Sequence, residues 1–297
     1  MFAPLTKPDL GKTGEGARIY LRPACFIDRP HELGDDCLRI ADTMLWFAAW
    51  HVSLRDGDAV RSAIVPVPEL DDWIAAMPDR LAEAATAQRA ATCRPRAALA
   101  LGERTVRLNE PQIVGILNVT PDSFSDGGKH VDAAAATDAG FAMASAGAAI
   151  VDVGGESTRP GAPLVWEGDE IGRIEGVVAA LAKGGVAVSI DTRKAAVMEA
   201  ALAAGAGIVN DISALRYDDR AMEVVARAGC PVVLMHAPSA KSDPHEGARY
   251  DHVLLDVYDM LADRVAACRA AGIDPARIIV DPGIGFGKGV ADNLALV

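Results

Sequence analysis

Aromatic side chains make up only 5% of this 297-residue sequence, and cysteine occurs at just five positions, Cys25, Cys37, Cys93, Cys230 and Cys268. The cysteines are odd in number, widely spaced and never in a C-x-x-C pair, which excludes a disulfide framework and a zinc cluster. They are read as reduced thiols. Positive charge is also short: 29 Lys and Arg against 41 Asp and Glu leave a net charge of −12. Such a field repels phosphate polymers and anionic membrane surfaces, so neither nucleic acid nor membrane is expected as a partner. No window reaches the roughly 18 uncharged apolar residues of a spanning helix, and the opening MFAPLTKPDLGKTGEG is too polar for a signal peptide. A soluble cytoplasmic protein is the expectation. What the chain does have is 51% hydrophobic residues and 28 glycines, enough to bury a large core.

Composition changes near residue 110. Before it lie a strand candidate, IYLRP (19–23), an unassigned hydrophobic stretch, LRIADTMLWFAAWHVSL (38–54), and a helix-like segment (71–93) broken near Pro78. From Gln112 onward, short Val- and Ile-rich runs alternate with Ala-rich helical stretches that end at glycines, as in βα units around a parallel sheet. The six strand candidates are 113–119, 148–153, 186–191, 207–212, 231–236 and 277–282. They are apolar almost throughout and turn polar at their C-terminal ends, at Asn118, Asp152, Asp191, Asn210 with Asp211, His236 and Asp281. Six strands with similar polar ends favour a barrel rim over the single switch point of an open doubly wound sheet. The predicted fold is therefore α/β: a TIM (β/α)8-type barrel in residues 99–297, here six of eight units, after a small mixed α/β extension in residues 1–98. The last segment, DNLALV, reads as a helix opened by Asp292 or Asn293 and then cut.

The rim loops carry the chemistry. In NVTPDSFSDGGKH (118–130), Asn118 is placed to ligate Mg2+ through its carbonyl oxygen or to meet a phosphate, with Asp122 and Asp126 as further cation ligands. A solvated turn capped by its own side chains fits the same residues. In VDVGGESTRPGAP (151–163), Thr158 and Arg159 accompany two glycines, and Arg159 offers a fork for a carboxylate or phosphate, or alternatively a surface ion pair. Asp281 and Asn210 suit an aminopyrimidinone edge, which presents adjacent N–H donors and a carbonyl acceptor. Asp152, deeper in its strand, is read as structural, as is His236. GIGFGK (283–288) fails both phosphate-loop spacings, so nucleotide binding is not expected. Phe286 at its tip either packs on an aromatic substrate or closes the barrel end.

In order along the chain, NVTPDSFSDGG, GGESTRPGA, SIDTRK, GIVNDI, VVLMH and DPGIGFGK resemble dihydropteroate synthases. The similarity runs from about residue 110 to 297 and implies the barrel fold, a cytoplasmic transferase of folate biosynthesis and a sulfonamide target. It implies condensation of 4-aminobenzoate with 6-hydroxymethyl-7,8-dihydropterin diphosphate. Asn118 would meet Mg2+ and the diphosphate, and Thr158 would contact the diphosphate from the second loop. Asp191, Asn210 and Asp281 would hold the pterin, with Arg159 and Phe286 near the aminobenzoate and Met235 and Lys288 also substrate-binding. The family continues with a seventh strand carrying Ser-Arg-Lys and an eighth carrying Arg-x-His, neither present here, and its dimer contact uses the late helices, so a homodimer is possible only in outline. LALGERTVRLNEP (99–111) resembles the hairpin that plugs the barrel bottom. Two other readings remain open from the sequence: a non-catalytic pterin-binding paralogue, and a methyltetrahydrofolate-dependent methyltransferase domain.

Overall fold

The computed structural model describes residues 3–120, 129–157, 159, 161–241 and 243–297. These residues form two compact units, one from residues 1–97 with 108–111 and one from 98–107 with 112–297.

The first unit opens with β1 (Ala3–Pro4) and α1 (Lys7–Leu10), followed by β2 (Arg18–Ile27), β3 (Leu38–Arg39), β4 (Trp46–Asp56) and β5 (Ala59–Pro66), and closes with α2 (Leu70–Ala75) and α3 (Asp79–Cys93). The sheet order is β1-β5-β4-β2, with β3 also paired to β4. The long hydrophobic stretch 38–54 is thus two strands and the turn between them. That turn bends through Ala41 and Asp42, both at positive φ (45° and 62°), so no glycine marks it. Helices α2 and α3 separate at Ala76–Pro78, where the proline cannot continue an α-helix. Their apolar faces meet the sheet over Leu10, Phe47, Trp50, Leu54, Leu70 and Leu81, with the Phe47 and Trp50 rings edge-on at 4.8 Å. On the outer edge of β2, the Gln88 amide of α3 stands in for a neighbouring strand: Leu21 N–H donates to its Oε1 and its Nε2 donates to Ile19 C=O, each at 2.8 Å.

In the second unit, the hairpin β6 (Leu99–Leu101) and β7 (Arg104–Val106) turns at Gly102 and anchors through Arg104 Nε to the Gly185 carbonyl at 2.7 Å. Then come β8 (Val114–Asn118), α4 (Lys129–Ser145), β9 (Ile150–Gly154), α5 (Glu167–Lys183), β10 (Val188–Asp191), α6 (Ala195–Ala204), β11 (Ile208–Asp211), α7 (Ala221–Ala228), β12 (Val232–Met235), α8 (Val253–Ala270), β13 (Ile278–Asp281) and α9 (Val290–Leu296). All six strands β8–β13 are parallel and lie in chain order, without the reversal that defines a switch point, which is barrel topology. Each predicted strand is present with ends within two residues of those expected, β9 running one residue past its predicted end to Gly154. The core is built of small and branched residues, among them Val151, Val153, Ile174, Leu181, Ile190 and Leu234. The helix ends fall at glycines as expected, with Gly205 (φ 112°) and Gly229 (φ 60°) left-handed after α6 and α7. One expectation is corrected. The helix α9 starts at Gly289, with the Asp292 carboxylate accepting the Gly289 N–H at 3.0 Å, while Asn293 Oδ1 receives the Gly285 N–H.

Candidate substrate pocket at the sheet's C-terminal rim

Strand register sets the site. Asn118, Gly154, Asp191 and Asn210 are successive Cα partners across β8, β9, β10 and β11, so one row of the sheet ends in three polar side chains. A Cβ on Gly154 would lie in ordinary contact with both flanking side chains, 3.4 Å from Asn118 Oδ1 and 3.5 Å from Asp191 Oδ2, which places those two side chains on either side of it.

Below that row, Asp152 is buried and its Oδ2 accepts from Asn210 Nδ2 at 2.8 Å, while its Oδ1 has no partner among the described residues. A buried carboxylate oxygen without a donor is costly, and a ligand N–H is one way to satisfy it. Asp152, read from the sequence as structural, thus has one oxygen that the described residues leave without a donor. Burial pushes its carboxyl above the usual range, with Ser189 and Asn210 partly opposing. Asp191 is raised well above that range, first by burial and then by the charges of Asp152, Asp211, Glu170 and Glu156. Asp211, beside Asn210, is not available to a ligand. Its oxygens accept Ser213 N–H and Oγ–H at 2.6 Å and Leu215 N–H at 3.1 Å, fixing a turn in which Ala214 and Leu215 both have positive φ.

The sixth strand, β13, ends at the same rim. Asp281 pairs in register with Met235, and its Oδ1 accepts the Gly283 N–H at 2.7 Å. Gly283 (φ 68°) could be no other residue, since a Cβ there would come within 2.1 Å of the His236 carbonyl. Lys288 holds the same loop in shape by donating to the carbonyls of Gly283 (2.9 Å), Phe286 (3.0 Å) and His236 (3.3 Å). Burial lowers its ammonium to about 8, against the pull of Asp281 and Asp292. Phe286 packs on Ile212, Met235 and Ala237 and stacks on His245 at 4.6 Å. His236 is buried with Nδ1 unpartnered among the described residues, and burial, helped by the Lys288 charge, lowers its ring to about 4, so it is neutral near pH 7.

The second loop is tied to β10 through ionic contacts that its motif does not advertise. Lys194 Nζ lies 2.6 Å from both Glu156 Oε2 and Glu170 Oε2, and Arg193 reaches Glu156 Oε1 at 3.0 Å. Burial penalises these charges, yet the Lys194 contact brings Glu156 below its usual range and the two glutamates raise Lys194 above its own. Arg159 is exposed and makes no ion pair among the described residues. Thr158, Asp122 and Asp126 lie outside the described residues. Among the described residues no group of three or more His, Cys, Asp or Glu is arranged to hold a metal, and no helix is long and apolar enough to cross a membrane.

Asn118, Asp191 and Asn210 share one row of the sheet, Asp152 lies two residues before that row on β9, and Asp281 ends β13 at the same rim. Residues 114–297 match the family model described as pterin binding enzyme. A bifunctional folylpolyglutamate synthase/dihydropteroate synthase of Haloferax volcanii is 49% identical over 62% of this chain and 22% of its own. The dihydropteroate synthase of Mycobacterium leprae is 48% identical over 63% of this chain and 66% of its own. The solved structure of Xanthomonas albilineans dihydropteroate synthase with 4-aminobenzoic acid superposes with a TM-score of 0.63 at 44% identity, covering 68% of this chain and 71% of that one. The chain thus spans about two thirds of the single-function relative and under a quarter of the bifunctional one. With more than half of its length inside the family model and its polar strand ends gathered at one rim, this chain belongs to the pterin-binding enzyme family, whose members most like it here are dihydropteroate synthases.

Proposed function

We propose that the protein condenses 4-aminobenzoate with 6-hydroxymethyl-7,8-dihydropterin diphosphate, giving dihydropteroate and pyrophosphate. The observation that carries this reading is the unpartnered Asp152 Oδ1 beside the Asn210 amide. Carboxylate and carboxamide together offer what an aminopyrimidinone edge needs, acceptors for its N–H groups and a donor for its carbonyl. Asp281 completes the ring contacts from the end of β13, two strands along the same sheet from Asn210. Asp191 holds its proton more readily than an ordinary carboxyl and so adds a donor at the same rim.

The aminobenzoate end falls to Arg159, whose guanidinium matches a carboxylate, and to the Phe286–Met235 wall, against which an aromatic ring packs. The Xanthomonas relative solved with 4-aminobenzoic acid supports this half of the reading. Lys288 acts through the shape of its loop, since its ammonium is occupied by three carbonyls. In the reaction the bond from the pterin methylene carbon to the diphosphate oxygen breaks with both electrons leaving on the diphosphate. The arylamine lone pair forms the new C–N bond and the nitrogen then loses a proton to water. No nucleophilic side chain is needed, and orientation with charge stabilisation supplies the rate.

Magnesium fits the rim in a limited way. Asn118 Oδ1 is a hard oxygen donor, and magnesium is commonly held by one or two protein ligands plus substrate phosphates and water. Held there with Asn118 as its principal protein ligand, it would offset the negative charge of the leaving group.

The test is direct. The full-length protein with both substrates should release pyrophosphate in step with dihydropteroate, with sulfonamides competing against aminobenzoate. Calorimetry should show pterin diphosphate binding weakened in EDTA and by Asn118→Ala. Binding of methyltetrahydrofolate with no affinity for the diphosphate would overturn the reading in favour of a methyltransferase domain.

A further inference from the structure

The second loop leaves β9 at Gly154 and rejoins the fold at α5, and its two stems are fastened to each other. Glu156 Oε2 accepts the Val165 N–H at 2.9 Å, and Lys194 Nζ reaches that same oxygen and the Val165 carbonyl, each at 2.6 Å. From the far side Lys194 donates to Glu170 Oε2 at 2.6 Å, and Glu170 Oε1 accepts from Thr192 Oγ1 at 2.8 Å. Arg193 donates to Glu156 Oε1 at 3.0 Å while its guanidinium lies 4.4 Å over the Tyr217 ring. Glu156, Glu170 and Lys194 are 8%, 1% and 7% exposed.

Such an arrangement is an inefficient way to gain stability, because removing three charges from water costs about as much as their attraction returns, and an apolar replacement would serve as well. What an apolar replacement would not supply is direction. Lys194 follows β10 by three residues, so its ammonium ties both stems of the loop to the strand that carries Asp191. Among the described residues the hydrogen bonds of the loop tip are internal, Arg159 N–H to Ser157 Oγ and Ala162 N–H to the Arg159 carbonyl. The neck is therefore the part that sets where the tip stands.

We propose that Lys194 is a positioning residue, acting through Glu156 and the Val165 backbone to hold the neck of the second loop against the end of β10 and so to fix Arg159 relative to the pocket. This rests on the synthase reading above for its substrate. The contacts proposed for the pterin ring, Asp152, Asn210 and Asp281, sit on strands and do not pass through the neck. The aminobenzoate contact does. Loss of the neck thus separates the two substrates: the aminobenzoate end fails and the pterin end holds.

Glu156→Gln, which keeps shape and removes charge, and Lys194→Met test this in the full chain. Hydrogen exchange over residues 156–166 should speed up in both variants, with the Val165 amide losing its protection. The KM for 4-aminobenzoate should rise about tenfold or more, as for a misplaced binding group. Affinity for 6-hydroxymethyl-7,8-dihydropterin, which has no diphosphate to meet the second loop, should by calorimetry stay within about twofold, since its ring contacts lie on strands and not on the loop. A purely structural role would weaken both substrates together, and that result, or unchanged exchange over 156–166 in Glu156→Gln, overturns the proposal. Should the wild-type protein make no dihydropteroate, the synthase reading fails and the exchange measurement decides the neck by itself.

Discussion

The two units of this molecule bury different things. Of the ten polar or charged residues buried among those described, nine lie in the second unit and Ser53 stands alone in the first. The first unit is closed by large apolar side chains, Trp50, Phe47, Leu10, Leu54, Leu70 and Leu81. The second packs smaller residues and adds a polar layer at the rim, comprising Asp152, Glu156, Glu170, Lys194, Asp211 and His236. Burying polar groups costs free energy unless each finds a partner. A fold that concentrates them at one end of one sheet has set that end aside for a ligand and for the loops around it.

The contrast can be broken most forcefully in the first unit. Trp50→Ala removes a fully buried ring and should destabilise that unit by about 3–5 kcal/mol, as read by denaturant titration. Pterin diphosphate affinity should meanwhile stay within about twofold of wild type. A parallel loss of affinity would show that the apolar core of one unit supports the polar rim of the other, and the contrast would lose its functional meaning.

Next in size, Asp281→Asn should weaken pterin binding by about 2–4 kcal/mol, the cost of losing one partner from a charged hydrogen-bond set that the bound ring covers. Calorimetry on a variant with an unchanged circular dichroism spectrum measures it. Wild-type affinity would reduce Asp281 to the acceptor of the Gly283 N–H.

The smallest effect separates two titrations of opposite sign within the rim. His236 is lowered from 6.5 to about 4 by burial, so the unfolded chain takes up its proton first, and the stability His236 contributes is complete above pH 6.5 and lost as pH falls toward 4. Asp211 is raised from 3.8 to about 6, so its contribution is complete below 3.8 and lost as pH rises through 6. The wild-type profile mixes the two. Subtracting the profile of His236→Gln isolates the first, which should amount to about 2 kcal/mol between pH 7 and 4 after solvent screening is allowed for. A flat difference would mean that His236 titrates as it does in water.

Legibility in the sequence divides along the same line. The six barrel strands were visible because each is a short branched apolar run between glycine-capped helices, and the polar end of each run marked the rim. In the first unit, β4 is buried on both faces along much of its length, so residues 46–56 show no alternation, and its turn relies on Ala41 and Asp42 where a glycine would have been a signal. At the site, Asn118, Asp191, Asn210 and Asp281 stand at strand ends and could be read. Asp152 also shows as a polar strand position, but two residues short of the end of β9 it reads as core until its oxygen is seen to lack a donor. The Glu156–Lys194–Glu170 contacts join positions up to 38 residues apart, and no local pattern announces such a meeting.

The Gln88 side chain on the rim of β2 bears on how this protein behaves in a concentrated solution. A bare strand edge is a template on which another chain can lay itself down, and the growth of such a stack is how ordered aggregates begin. Here the two backbone groups at Ile19 and Leu21 are already occupied by an amide from the same chain, and Pro23 two residues further along has no N–H to offer. An incoming strand would find three consecutive docking positions on that edge blunted, so self-association by strand addition along β2 is discouraged by one glutamine and one proline.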